Sequence, residues 1–215
     1  MIKFFISRWT YATIRVGGYG LLAGYLILTG DWRISIAWAL AFPAILLSVA
    51  GLFVALNLFD RVPKLNRYLL YPQTSSGAET TLSENEWALG QFEYLESTFR
   101  GKSLAFVPAE DGLICVPILL FGIGPISAVL GGIAFGFLHL GRFTYLTCIG
   151  KGMAYAAICY VVLPHGLLTV AVGHLITDSL AWVAVKLSQH RLSAEMRSNP
   201  TVESDARNSG ARGSP

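Results

Sequence analysis

Six apolar stretches, each near the length of a membrane-crossing helix, alternate with polar breaks along the chain. They cover residues 11–29, 34–58, 103–121, 123–140, 143–163 and 167–187. A bilayer core takes about 20 residues of helix to cross, so each stretch predicts a transmembrane helix. The first holds Arg15, whose apolar stem lets the guanidinium reach the headgroups. It runs through Leu28 with no small-x-small site closing a short apolar region, so an uncleaved helix is expected rather than a signal peptide. Pro43 in the second stretch is tolerable where neighbouring helices satisfy the freed carbonyl. A turn at Gly122 to Pro125 separates the third from the fourth, and Pro164-His165-Gly166 separates the fifth from the sixth.

Between the second and third stretches lies a polar segment, 60–102, with five basic and six acidic residues. Within it, Ser75-Ser76-Gly77 marks a loop over 73–79, and 81–99 reads as an amphipathic helix at the surface. From Ser188 onward Ser, Arg, Asn, Gly and Pro dominate, which predicts a disordered tail. The expected organisation is therefore a transmembrane pair (1–59), a cytoplasmic polar and amphipathic segment (60–102), a four-helix core (103–187) and a cytoplasmic tail (188–215). The fold class is all-α: a polytopic membrane helix bundle of about six transmembrane helices, with the lipid bilayer as its first partner.

Composition and charge sharpen this picture. Only 13% of the 215 residues are charged, about half of what soluble domains carry, and mean hydropathy is +0.54. The net charge of +3 comes from basic residues beside apolar runs, with no stripe of the kind that binds nucleic acid. Cys115, Cys148 and Cys159 all fall in apolar runs and read as small hydrophobes rather than a disulfide framework. With six spans, both termini and the 60–102 segment share one side, which collects nearly all the loop lysines and arginines. The other side receives only Arg33. This bias places the termini in the cytoplasm.

Against that background a few polar residues stand out inside the spans: Glu110, Asp111 and Asp178, with His139, His165 and His174 in spans or at their edges. Each charged group in a bilayer costs a few kcal/mol, so such side chains tend to face the bundle interior and to serve a function. At 1.5 Å per residue, Glu110 and Asp178 lie about 10–13 Å from the cytoplasmic face. His174 and Asp178, four apart, share a helical face. Glu110, His139, His174 and Asp178 are thus expected to converge, with His165 at the far side. The plain structural alternative is interhelical hydrogen bonding, with Lys151 neutralising Asp111 or Asp178 and Cys115 only packing.

The residues Pro108-Ala109-Glu110-Asp111, then Phe135-Gly136-Phe137-Leu138-His139 (FxxxH), then His174-Leu175-Ile176-Thr177-Asp178 (HxxxD) form an ordered series over about 105–185. The series resembles the CPBP family of intramembrane peptidases, also called CAAX-protease-like or Abi proteins, whose motifs are EExxxR, FxxxH and HxxxN or HxxxD. Two positions depart from that pattern: Asp111 replaces the second glutamate, and Cys115 stands where the arginine would be, without a guanidinium's fork of donors. Leu95-Glu96-Ser97-Thr98-Phe99-Arg100-Gly101 offers a rival register that keeps the arginine, 43 residues before His139 against 29 for Glu110.

The resemblance implies a glutamate-type endopeptidase acting on a peptide or protein substrate near the cytoplasmic membrane face. Glu110 would activate a water, His139 would position it, His174 and Asp178 would stabilise the oxyanion, and Asp111 would support Glu110. No cofactor or metal enters this scheme. Glu110, His139, His174 and Asp178 would nevertheless suit zinc as an N/O ligand set, which leaves a metal-dependent hydrolase as one alternative. A degenerate relative acting as a membrane adaptor or immunity-type protein is the other. No GxSxG serine nucleophile is present, and neither inverted repeats nor paired broken helices suggest a transporter.

Overall fold

The computed structural model describes residues 8–62, 104–140 and 143–198. The loop at 73–79, the amphipathic helix at 81–99, the Glu96–Arg100 register and the turn at Arg142 lie outside the described residues. Helix α1 spans Arg8–Thr29 and α2 spans Ile36–Ala55, followed by a single-turn helix, α3, at Leu58–Arg61. Then come α4 at Val107–Phe121, α5 at Pro125–Leu138 and α6 at Tyr145–Val161. A 3-10 turn at Leu163–His165 leads into α7, Leu167–Ser198. No strand occurs among the described residues; an isolated bridge pairs Leu140 with Phe143.

Every expected span is thus a helix, but their lengths differ from expectation. By length and composition two helices can cross a membrane: Ile36–Ala55, with mean hydropathy 2.2, and Leu167–Arg191, with 1.5. Only 22% and 33% of these windows are buried, so most of their apolar side chains face outward, unlike the core helix of a soluble protein. The three helices α4, α5 and α6 have 15, 14 and 17 residues, short of the roughly 20 that a crossing takes. Their ends are set by local chemistry. Gly122 closes α4 at φ 101°, a conformation that costs an L side chain dearly, and Pro125 opens α5. Thr144 caps α6, its hydroxyl accepting from the Thr147 amide at 3.1 Å. The disordered tail expected from Ser188 is corrected over 188–198, where α7 continues because Ser188 to Ser198 contains neither Gly nor Pro and the first breaker is Pro200; the rest of that expectation lies outside the described residues.

The described residues up to Asp178 form one compact unit, and the rest of α7, from Ser179, belongs to a second. In the first unit α1 packs on α4 and α2 on α6, so the N-terminal pair belongs to the same core as the helices it precedes. The most extensive pairing is α5 with α6. Small residues allow it: a Cβ at Gly132 would overlap the Gly152 carbonyl oxygen and lie 2.7 Å from the Ala156 Cβ. One at Gly136 would lie 2.9 Å from the Cys148 carbonyl. Close approach through small residues is how helices associate where lipid tails offer no hydrophobic advantage. Phe42, Phe135, Tyr155, Ile158, Leu163, Leu167 and Val170 fill the centre. Buried among them are Asp111, His139, Thr144, Thr169 and His174.

Candidate functional site

Glu110 follows Pro108 in the first turn of α4, where the unpaired amides of a helix start favour carboxylates, and Asp111 comes next. Successive helical residues point about 100° apart, so the two acids part company. Asp111 is fully buried, and Glu110 sits at the margin, partly exposed. Asp111 Oδ1 accepts two hydrogen bonds: from the Tyr155 hydroxyl of α6 at 2.5 Å and from Nδ1 of His174 on α7 at 3.0 Å. Its other oxygen, Oδ2, is buried without a hydrogen-bond partner. The support expected to run from Asp111 to Glu110 therefore runs to His174 instead. A carboxylate can only accept, so His174 carries a proton on Nδ1. Its Nε2 lies 4.0 Å from Asp178 Oδ1, one turn along α7. His174 thus stands between two carboxylates.

Aromatic rings fix this imidazole. Phe42 of α2 stacks on it, with centroids 5.1 Å apart and 18° between planes. Phe135 and Tyr155 meet it edge-on at 5.5 and 6.2 Å. Phe135 also stacks flat on Tyr155 at 3.9 Å. Four residues on from Phe135, His139 ends α5, its ring 4.4 Å from the Phe135 ring. His139 Nδ1 is 2.8 Å from the Phe135 carbonyl oxygen. A carbonyl only accepts, so the proton is on Nδ1 and the Nε2 lone pair of neutral His139 is left for other work. FxxxH therefore has a physical meaning here: the phenylalanine supplies a ring between the two histidines and a carbonyl that sets the tautomer of one.

The remaining predicted residues divide. Glu110 lies within Coulombic range of His174, Asp111, Lys151 and Asp178. The Lys151 ammonium stands over the Phe143 ring at 4.3 Å, and that ring is 5.7 Å from His139. His165 is apart from all of these, stacked on Trp38 at 4.0 Å beside the turn at Arg33. Cys115, one turn after Asp111, is fully buried with its sulfur 3.3 Å from the Tyr155 hydroxyl oxygen. Because the Tyr155 proton goes to Asp111, the thiol donates at this contact. Cys115 thus joins the polar chain rather than only filling space.

Tyr155 and Phe42 were not legible as site residues. A tyrosine hydroxyl inside an apolar run needs a partner, which is a usable signal. But α6 contains Tyr145, Tyr155 and Tyr160, and only packing distinguishes them. The zinc alternative meets a geometric obstacle: among the described residues no three His, Cys, Asp or Glu side chains converge as ligands. Compared with protein-family models, curated proteins and solved structures, the chain matches none.

Proposed function

We propose that the protein is a polytopic membrane protein with cytoplasmic termini that hydrolyses peptide bonds near the cytoplasmic face, with a glutamate as general base. The observation that carries this reading is the pairing of buried His174 with Asp111 on one nitrogen and with nearby Asp178 on the other, while Glu110 stands at the edge of the same cluster. The resemblance to CPBP peptidases in Glu110, His139, His174 and Asp178 supports the same assignment. In this reading α1, α4, α5 and α6 supply the other four spans, although α4, α5 and α6 are shorter than a straight crossing of the bilayer takes. At the turn before α2, Asp31 neutralises Arg33 through paired contacts of 2.6 and 2.9 Å, in keeping with an outer surface poor in net positive charge.

In this mechanism Glu110 takes a proton from water, and the hydroxide oxygen bonds to the peptide carbonyl carbon. His139, with Nε2 free to accept, orients that water. The carbonyl oxygen gains the electron pair, and His174, protonated on both nitrogens, stabilises it through Nε2–H while Asp111 holds Nδ1–H. Collapse breaks the C–N bond, and the proton held by Glu110 passes to the leaving amine. The test is Glu110→Gln. The variant should insert and melt like the parent, because Glu110 is only partly buried and forms no side-chain hydrogen bond among the described residues, yet lose cleavage of a reconstituted membrane-peptide library by at least a hundredfold. Retained cleavage would remove Glu110 from the mechanism.

A second reading is favoured by one contact. Cys115, where the family carries arginine, closes a chain with Tyr155, Asp111 and His174 that joins α4, α6 and α7. Such a chain suits a non-catalytic membrane adaptor held together by polar contacts. In that case Glu110→Gln changes nothing, and no peptide is cleaved.

A further inference from the structure

The peptidase reading assigns no part to Lys151, and the following inference rests on that reading. We propose that Lys151 is a positioning residue: its ammonium holds Glu110 as a carboxylate and His139 as a neutral imidazole, the two forms that the reaction needs. The geometry begins with α6. Its rotation is fixed by Gly152, which lies against Gly132 of α5, and by Tyr155, whose hydroxyl donates to Asp111 of α4. Lys151 is four residues before Tyr155 and shares its helical face, so it stands about 6 Å nearer the start of α6 on the side that meets α4. Glu110 is one residue nearer the start of α4 than Asp111. Both side chains lean toward the starts of their helices. There the Lys151 ammonium stands over the Phe143 ring at 4.3 Å, and the other neighbour of that ring is His139, with centroids 5.7 Å apart. The half-buried lysine is thus within Coulombic range of both Glu110 and His139.

Charge balance says what a cation does at this place. Glu110 is faced by His174 and Asp178 of α7 and by Lys151 of α6, with Asp111 beside it on α4. On the side of α1 the ionisable groups are Arg15, over the Phe106 ring at 4.0 Å, and Tyr19, whose hydroxyl donates to the Ala105 carbonyl. Three carboxylates therefore share the cluster with one imidazolium, His174. Like charges in a low-dielectric interior favour protonation of the most basic carboxyl, and a protonated Glu110 cannot take a proton from water. A second cation opposes that protonation. The same cation disfavours a second proton on His139, whose Nε2 must keep its lone pair to orient the water. Lys151 acts through these two groups and touches no substrate.

The test uses the full-length protein, labelled with 13C at the glutamate carboxyl carbons and reconstituted in lipid nanodiscs. Glu110 is assigned by the signal lost in Glu110→Gln. Lys151→Met and Lys151→Gln both remove the charge, one leaving an apolar end and the other a polar one. In each, the Glu110 titration should move upward by about one pH unit, which is what a unit charge roughly 10 Å away contributes at an effective dielectric constant of about 20. Lys151→Arg keeps the charge and should titrate like the parent. In a peptidase assay the acid limb of the pH profile should move with the titration. An unchanged Glu110 titration in the two neutral variants overturns the proposal, and so does a Lys151→Arg protein that titrates as they do. Because the titration is read on the resting protein, absence of proteolysis would overturn the peptidase reading alone.

Discussion

Replacing Gly132 with alanine tests the close approach of α5 and α6, on which the site depends. The added methyl would overlap the Gly152 carbonyl oxygen and come within 2.7 Å of the Ala156 Cβ and 3.0 Å of the Ala156 nitrogen. None of these atoms is the end of a flexible side chain, so the helices themselves must separate, by on the order of 1 Å to reach ordinary contact distance. Overpacking of this kind costs about 1–3 kcal/mol, offset by up to about 1 kcal/mol of better helix propensity. The net expectation is a loss of about 1–2 kcal/mol. Gly20 in α1 provides the control, since nothing lies within 4 Å of its added Cβ. There the same change should be neutral or stabilise by about 0.5–1 kcal/mol. Unfolding in mixed micelles followed by circular dichroism measures both. A parent-like Gly132→Ala protein, or equal losses at the two positions, would refute the packing argument. The loss at Gly132 should also loosen the site, because α5 and α6 carry the stacked Phe135 and Tyr155 rings.

Other outcomes follow from the same contacts. Asp111→Ala leaves the Tyr155 hydroxyl and the His174 Nδ1–H without their acceptor in the core, at about 1–3 kcal/mol each, so it should melt well below Glu110→Gln in the same thermal assay. Thr144→Ala removes the cap of α6 and should cost about 1 kcal/mol, read by the same unfolding measurement. At the exposed turn before α2, the hydrogen bond from Arg33 holds the Asp31 carboxyl below its ordinary range. A carboxyl lowered in this way stabilises the fold at pH values above its unfolded range and loses that contribution as pH falls through its folded value. Arg33→Ala should therefore move the Asp31 titration upward, as carboxylate NMR would record, with little change in stability because the Arg33 side chain is largely exposed to solvent.

The apolar and polar alternation of the sequence was enough to locate every long helix among the described residues, since a stretch of that length with so little charge has few other folds available to it. It also identified the acids and histidines worth attention, because ionisable groups are conspicuous in apolar runs. It could not determine how far each helix runs. That depends on local caps and breakers, such as Gly122 and the absence of one before Pro200. Nor could it show that Asp111 serves His174 rather than Glu110. The two acids are adjacent in sequence, and only the rotation of α4 against α6 and α7 turns one inward and leaves the other at the margin. The parts played by Tyr155, Phe42 and Cys115 were hidden for the same reason. Each lies in an apolar run that it fits by composition, and its chemistry arises from neighbours distant in the chain, brought within bonding distance by helix packing. Spacing along one helix determined the His174–Asp178 pair; tertiary structure alone decided what faces the other nitrogen.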